Sequence, residues 1–379
     1  MNWIAIRMLT GDRQKFFGLI FGIAFSTLLI CQQMTILVNL VQRGANAVYN
    51  EYTADVWVMD PVTRTPEVNY AMPPTALDAV RSVPGVEWAV PHLRSAAAVR
   101  SSDGDLEGVA IVGVDDTTLI GLPHKMLIGD ASSLAEPDAV LIDDVGAGRM
   151  FGRGVNPVGE RLELNDRRAI IRGVVDATPT FTSQVFLYTR YSRALTYVPG
   201  TRNRMSFVLA RAAPGVTPEE LATRINEQTG WKARTRGQFA DDGIAFVIEN
   251  TGIPFNFGIT VLLGFIVGVA IVGLTFSLFI RDNIRQFGAL KAIGVTNRKL
   301  AGMVGTQAAV VGSIGYAFGI LGSVLFIHWF EQAGPNFKGF YSPWQIPIIC
   351  LIPVVLILGL SGWFGLRSVL KTEPASVFR

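Results

Sequence analysis

Charge, cysteine and histidine are all scarce in this chain, and each scarcity removes a class of function. Only 17% of the 379 residues are charged, and a net charge of +3 is too small to hold a nucleic-acid backbone. The two cysteines, Cys31 and Cys350, both lie inside apolar stretches, so the polar part of the chain has no disulfide framework and no thiolate metal site. Of the three histidines, His92 and His124 have no partner at metal-ligand spacing, and His328 stands near the end of an apolar run. There is no G-x-S-x-G elbow, no H-E-x-x-H zinc motif and no G-x-x-x-x-G-K-[ST] phosphate loop. The residues present therefore offer no recognisable catalytic centre and no nucleotide cradle. Paired carboxylates occur at Asp115-Asp116 and Asp143-Asp144, where adjacent loop aspartates are expected as solvated turn formers.

Apolar residues, by contrast, make up half the chain, and mean hydropathy is +0.37. They concentrate in four stretches, Phe16 to Cys31 and on through Val38, Phe257 to Ile280, Met303 to Phe330, and Ile346 to Phe364. None contains Asp, Glu, Lys or Arg, and each is long enough to cross a bilayer as a helix of about 20 residues. The expected fold class is membrane α-helical: four transmembrane helices with a large α+β extracytoplasmic domain inserted between helices 1 and 2. In segments, this gives a cytoplasmic start (1–15), helix 1 with a stalk (16–41), the domain (42–254) and helix 2 (255–280). There follow a cytoplasmic loop (281–299), helix 3 (300–330), a short external loop (331–345), helix 4 (346–366) and a tail (367–379). The amphipathic run Gln32 to Gln42 reads either as a stalk leaving the membrane or as a long helix ending among headgroups. Basic residues flank the same side throughout: Arg7, Arg13 and Lys15, then Arg281, Arg285, Lys291, Arg298 and Lys299, then Arg367, Lys371 and Arg379. Both termini are thus expected in the cytoplasm, with the large domain outside the membrane on the other side.

Within the domain, strand-like alternation occurs at Asp55–Met59, Ala96–Val99, Val109–Val112, Ala139–Ile142, Arg161–Leu164, Ile170–Val175 and Ser206–Ala210. Thr75 is placed to cap a short helix. Thr217-Pro218-Glu219-Glu220 has the form of a capping box with proline at the first helical position, and its helix should end near Gly230.

The loop Arg281–Val295 carries most of the functional information. Ile284, Phe287, Leu290 and Ile293 recur at helical spacing, Arg285, Gln286 and Lys291 take other faces, and Gly294 is placed to stop the helix. Such a helix either anchors the loop among headgroups or docks a partner. Small-residue spacings at Gly264/Gly268 and Gly315/Gly319 suit close helix packing, within one chain or between two.

This loop resembles the coupling region of the MacB/FtsX/LolC-E superfamily of ABC transporter permeases (type VII), with Gln286 near a position where relatives often have Glu. Val140–Asp143, Phe151-Gly152, Asn156-Pro157-Val158-Gly159-Glu160 and Ala169–Val174 are similar to that superfamily's external core, and Pro374-Ala375 to Phe378-Arg379 to its usual ending. The start, with Gly22–Phe25 and Gln32-Gln33, more particularly resembles the DevC-like branch. The resemblance implies a non-catalytic permease, a homodimer that binds no cofactor itself and receives its motion from a separate cytoplasmic ATPase using ATP and Mg²⁺. That departs from MacB, whose ATPase is fused to the permease. It further implies mechanotransmission, with ATPase coupling through Arg285, Gln286, Phe287, Leu290, Lys291, Ile293 and Gly294. DevC-like relatives work with a periplasmic adaptor and an outer-membrane channel, which points to efflux of a lipid-like or hydrophobic substrate. An FtsX-like regulator of a cell-wall hydrolase and a LolC/E-like lipoprotein-release permease are alternatives within the superfamily. A membrane-anchored sensor or enzyme without an ATPase is the alternative outside it. The resemblance also implies a bacterial inner membrane with the large domain in the periplasm. Membrane lipid is an expected partner, and nucleic acid is not.

Overall fold

The computed structural model describes residues 2–100, 104, 106–182, 184–198 and 205–371. The proposed terminal motif beyond Lys371, Pro374 included, lies outside the described residues. In chain order the helices are α1 (Asn2–Gly11), α2 (Arg13–Tyr49), α3 (Thr75–Arg81), α4 (Asp144–Met150), α5 (Tyr191–Tyr197) and α6 (Pro218–Thr229). They continue with α7 (Arg236–Asn250), α8 (Ile253–Asp282), α9 (Ile284–Ala292), α10 (Asn297–Ala333) and α11 (Gln345–Lys371). The strands are β1 (Val56–Met59), β2 (Val86–Arg100), β3 (Leu106–Val114), β4 (Met126–Ile128) and β5 (Ala139–Asp143). β6 (Arg161–Leu164), β7 (Arg167–Val175), β8 (Val185–Arg190), β9 (Phe207–Ala212) and β10 (Lys232–Thr235) complete them. The chain divides into two compact units: Met1–Asn39 with Gly252–Phe330 and Phe340–Arg379, and Leu40–Thr251 with Glu331–Gly339.

In the helical unit, α2, α8, α10 and α11 are each long and apolar enough to cross a membrane. Their apolar residues split by side. Leu19, Ile23, Ile30, Val272, Phe276, Val311 and Ile357 pack inward, while Phe17, Phe21, Leu262, Leu274, Leu325 and Leu356 are exposed. An exposed apolar surface on long uncharged helices is what a lipid solvent tolerates and water does not. The four glycines of the packing spacings serve contacts within the chain. A Cβ on Gly315 would lie 2.7 Å from the Ile23 Cβ, and one on Gly319 would lie 2.4 Å from the Thr27 Cβ, so α10 rides directly on α2. Gly268 would meet the Ser26 Oγ at 2.6 Å, and Gly264 faces Ile30 and Leu29 at ordinary contact distance.

The extramembrane unit has two strand layers that share β2. Its first half joins the antiparallel row β10-β1-β9-β2, Val90 pairing with Leu209. Ala76, Val80, Leu221 and Ile225 of α3 and α6 cover one face of that row. Ala45 and Val48 of α2, with Phe239 and Ala240 of α7, cover the other around Trp57 and Phe207. Of the amphipathic end of α2, Met34 and Val38 pack with the spans, while the part from Leu40 onward, labelled the stalk, belongs to this unit. The second half of β2 enters a ring, β2-β3-β8-β5-β7-β6 and back to β2. Val99, Ile111, Ile142, Leu164, Ile171 and Leu187 fill its interior. Closing the ring removes the free strand edges that would otherwise invite pairing with other chains.

Three local expectations change. Thr75 is the first residue of α3 and not its cap, because the N-cap position is held by Pro74, which makes no side-chain bond. Thr217 does cap α6 by accepting from the Glu220 amide, and α6 ends at a left-handed Gly230. The full reciprocal box sits instead at Thr235 and Gln238, opening α7. Asp143 and Asp144 are not solvated turn residues. Asp143 is 2% exposed, its carboxylate accepts from the Gly146 amide at 3.0 Å and the Phe186 amide at 2.7 Å, and burial pushes its pKa up to about 7 against those two donors.

Candidate coupling site

α8 gives way to α9 at a single residue, Asn283, whose Nδ2 donates to the Phe279 carbonyl at 2.8 Å. α9 closes with a left-handed Gly294 (φ +89°). The Gly294 amide bonds the Lys291 carbonyl, and the Val295 amide bonds that of Leu290. This is the two-bond glycine terminus that satisfies the last free carbonyls of a helix. α10 then starts directly after Thr296.

The short helix has two sides. Phe287 and Gly288 are buried, Phe287 at 1% exposure, and Leu290 is half-buried against the span core. Arg285, Gln286, Ala289 and Ile293 are exposed, Ile293 at 78%, and Lys291 is half-buried. The expected coupling set is thus divided by the fold. Phe287 anchors α9 to the bundle and offers nothing to a partner, whereas Arg285, Gln286 and Ile293 are available.

The sequence pattern does not announce α1. This helix packs Ala5 and Leu9 into the span core, and Gln307 of α10 donates to the Ala5 carbonyl at 3.0 Å. The i, i+4 spacing of Ala5 and Leu9 is the one signal that could have found it. With α9 it frames an apolar groove of about 350 Å³ lined by Ile4, Met8, Gln286, Ala289, Leu290 and Ile293. Beside it lies a polar cup in which Lys15 Nζ donates to Asp12 at 2.6 Å and also to Asp282. The bond to Asp282 joins the start of α2 to the end of α8. The arrangement holds no catalytic constellation. It provides an apolar groove, Gln286 its one polar lining residue, which suits the binding of a protein surface.

Two family models match the chain. The MacB-like periplasmic core domain covers residues 16–228, and the FtsX-like permease C-terminal domain covers residues 258–374. The chain belongs to the MacB/FtsX family of ABC transporter permeases. The permease is 24% identical over 299 residues to the macrolide export ATP-binding/permease protein MacB of Agrobacterium fabrum, covering 77% of this chain and 45% of that one. It therefore spans less than half of that relative's length. An uncharacterized ABC transporter permease of Mycobacterium tuberculosis is 25% identical over 366 residues, covering 95% of this permease and 93% of the relative. Among solved structures, the periplasmic region of MacB from Actinobacillus actinomycetemcomitans aligns with TM-score 0.37 and 15% identity, over 54% of this permease and 96% of that region.

Proposed function

We propose that this permease transmits motion from a separate cytoplasmic ABC ATPase to its extramembrane domain, and that the groove between α1 and α9 receives that ATPase. The observation that carries this reading is the two-sided α9: Phe287 locks it to the span bundle while Gln286, Ala289 and Ile293 stand outward beside Ile4 and Met8. Displacement of α9 would reach α8 through the one-residue joint at Asn283, and α2 through the Lys15–Asp282 bond. Both of those helices lead into the extramembrane domain, α2 without a break to Tyr49 and α8 through Gly252 to α7. The basic residues beside the spans support cytoplasmic placement of the groove. In this reading ATP and Mg²⁺ are bound by the partner ATPase, and the permease acts as a homodimer in the inner membrane. With a periplasmic adaptor and an outer-membrane channel, it would export a lipid-like or hydrophobic substrate. The test is co-purification from the native host with Ile293→Asp and Met8→Asp. Loss of the ATPase from both variants, with the melting temperature unchanged, supports the docking site; retention in both overturns it.

A further inference from the structure

Residues Glu331–Gly339, the last residues of α10 and the first part of its connector to α11, belong by their contacts to the extramembrane unit. Lys338 Nζ donates to Asp144 Oδ1 at 2.7 Å, to Asp176 Oδ1 at 2.5 Å and to the Ala177 carbonyl at 3.2 Å. All three ammonium hydrogens are engaged. Burial lowers the pKa of Lys338, but the hydrogen bonds to the two carboxylates outweigh that and raise it, so its ammonium stays charged. Arg43 of the stalk donates from Nη2 to the Asn336 carbonyl at 2.6 Å and to that of Lys338 at 3.4 Å. Arg153 donates from Nη1 to the Gln332 carbonyl at 2.5 Å. Pro335 rests against α4 at Gly148, where a Cβ would lie 3.4 Å from the Pro335 Cβ.

A spacer between two spans requires none of this. Partly desolvated cations are retained only where specific acceptors compensate them, and here Lys338 of the connector and Arg43 of the stalk are both so held, with the exposed Arg153 adding a third bond. Lys338 also spans two places in the fold, the first residue of α4 (Asp144) and the residue after β7 (Asp176).

We propose that the α10–α11 connector is a third transmitting linkage, through which α10 and α11 move with the extramembrane domain, and that Lys338 is its positioning residue. The proposal rests on the transmission reading above. The test uses the full-length permease with its ATPase in lipid nanodiscs, measuring amide hydrogen exchange with and without Mg-ATP. The variants are Lys338→Met, Lys338→Arg and the double substitution Asp144→Asn with Asp176→Asn, which carries the argument if Lys338→Met fails to fold. In Lys338→Met and the double variant, amides of residues 334–339 should exchange about tenfold faster. The nucleotide-dependent change at residues 139–150 should disappear in both and persist in Lys338→Arg. Its persistence in Lys338→Met or the double variant overturns the linkage alone. A wild-type complex with no nucleotide-dependent change anywhere in the extramembrane unit overturns the transmission reading, and the linkage with it.

Discussion

Where the stalk crosses α7, two glycines touch, and replacing Gly243 with alanine should separate the helices measurably. A Cβ at position 243 would lie 2.2 Å from the Gly44 carbonyl oxygen and 2.9 Å from its carbon, and one at position 44 would lie 2.5 Å from the Gly243 oxygen. The atom struck is helical backbone, which cannot rotate aside as a side chain would. The helices must part by about 1 Å, and a gap of that size forfeits roughly a quarter to a half of each dispersion contact across it. Ala45, Val48, Phe239 and Ala240 supply those contacts around Trp57. Overpacking of this kind costs about 1–3 kcal/mol, and the better helix propensity of alanine offsets up to about 1 kcal/mol. The net loss of about 1–2 kcal/mol corresponds to a melting point lower by about 2–8 °C for a unit of this size. Thermal unfolding in detergent, followed by tryptophan fluorescence, reads it through the buried Trp57. Gly237→Ala is the matched control, because it lies in the same helix with nothing within 4 Å of its would-be Cβ, and it should be neutral or slightly stabilising. Equal melting points for the two variants would refute the close-approach argument.

His92 is buried beside Trp57, and burial, reinforced by the charge of Arg94, lowers its pKa from 6.5 to about 3. The unfolded chain therefore binds the proton more readily, so His92 contributes stability above pH 6.5 that is lost as pH falls toward 3, by up to about 1.4 kcal/mol per unit. Denaturant midpoints measured across that window should fall less steeply for His92→Phe. Phe287→Ala should destabilise the helical unit by about 3–5 kcal/mol, seen as a lower melting point, because it empties a buried site; Ile293→Ala should leave that melting point unchanged. Asp143→Ala strips two buried amides of their acceptor and should cost about 1–3 kcal/mol for each, whereas Asp143→Asn, which keeps an acceptor oxygen, should cost less; urea unfolding gives the comparison. Gly319→Leu should lower the yield of folded protein in size-exclusion profiles, since its Cβ alone reaches within 2.4 Å of Thr27.

The parts of this fold that are legible in the sequence are those with a strong period or an unambiguous length. The four spans stand out because a run of about 20 uncharged apolar residues is seldom anything but a membrane helix, and β1, β5, β6, β7 and β9 stand out by alternation. β8 escapes although Val185–Thr189 is as fully buried as β1 and β5, and β10 escapes because Lys232–Thr235 is mostly polar. The coupling helix is visible as an element, with its stop at Gly294, but its orientation is not. Periodicity places Phe287 and Ile293 together on an apolar stripe, and only packing against the bundle decides that the first is buried and the second is not. Asp143 has the look of a loop residue because adjacent aspartates usually are. Its burial depends on β8, about forty residues away and without a pattern of its own. The ion pairs of Lys338 are likewise invisible, since they join positions 162 and 194 residues apart.

β2 has fifteen residues, and they serve the row and the ring at once. Val90 and Ala89 belong to the row with β9, and Val99 belongs to the ring with β3 and β6. A slip of one residue along this strand would exchange the faces of Ala89 and Val90 and at the same time turn Val99 out of the ring interior. Row and ring therefore share one strand, and the extramembrane unit should unfold in a single cooperative transition. Its partners arrive late: β6 and β9 lie more than sixty and one hundred positions downstream. Folding must wait for them, and so must be slow for a domain of this size.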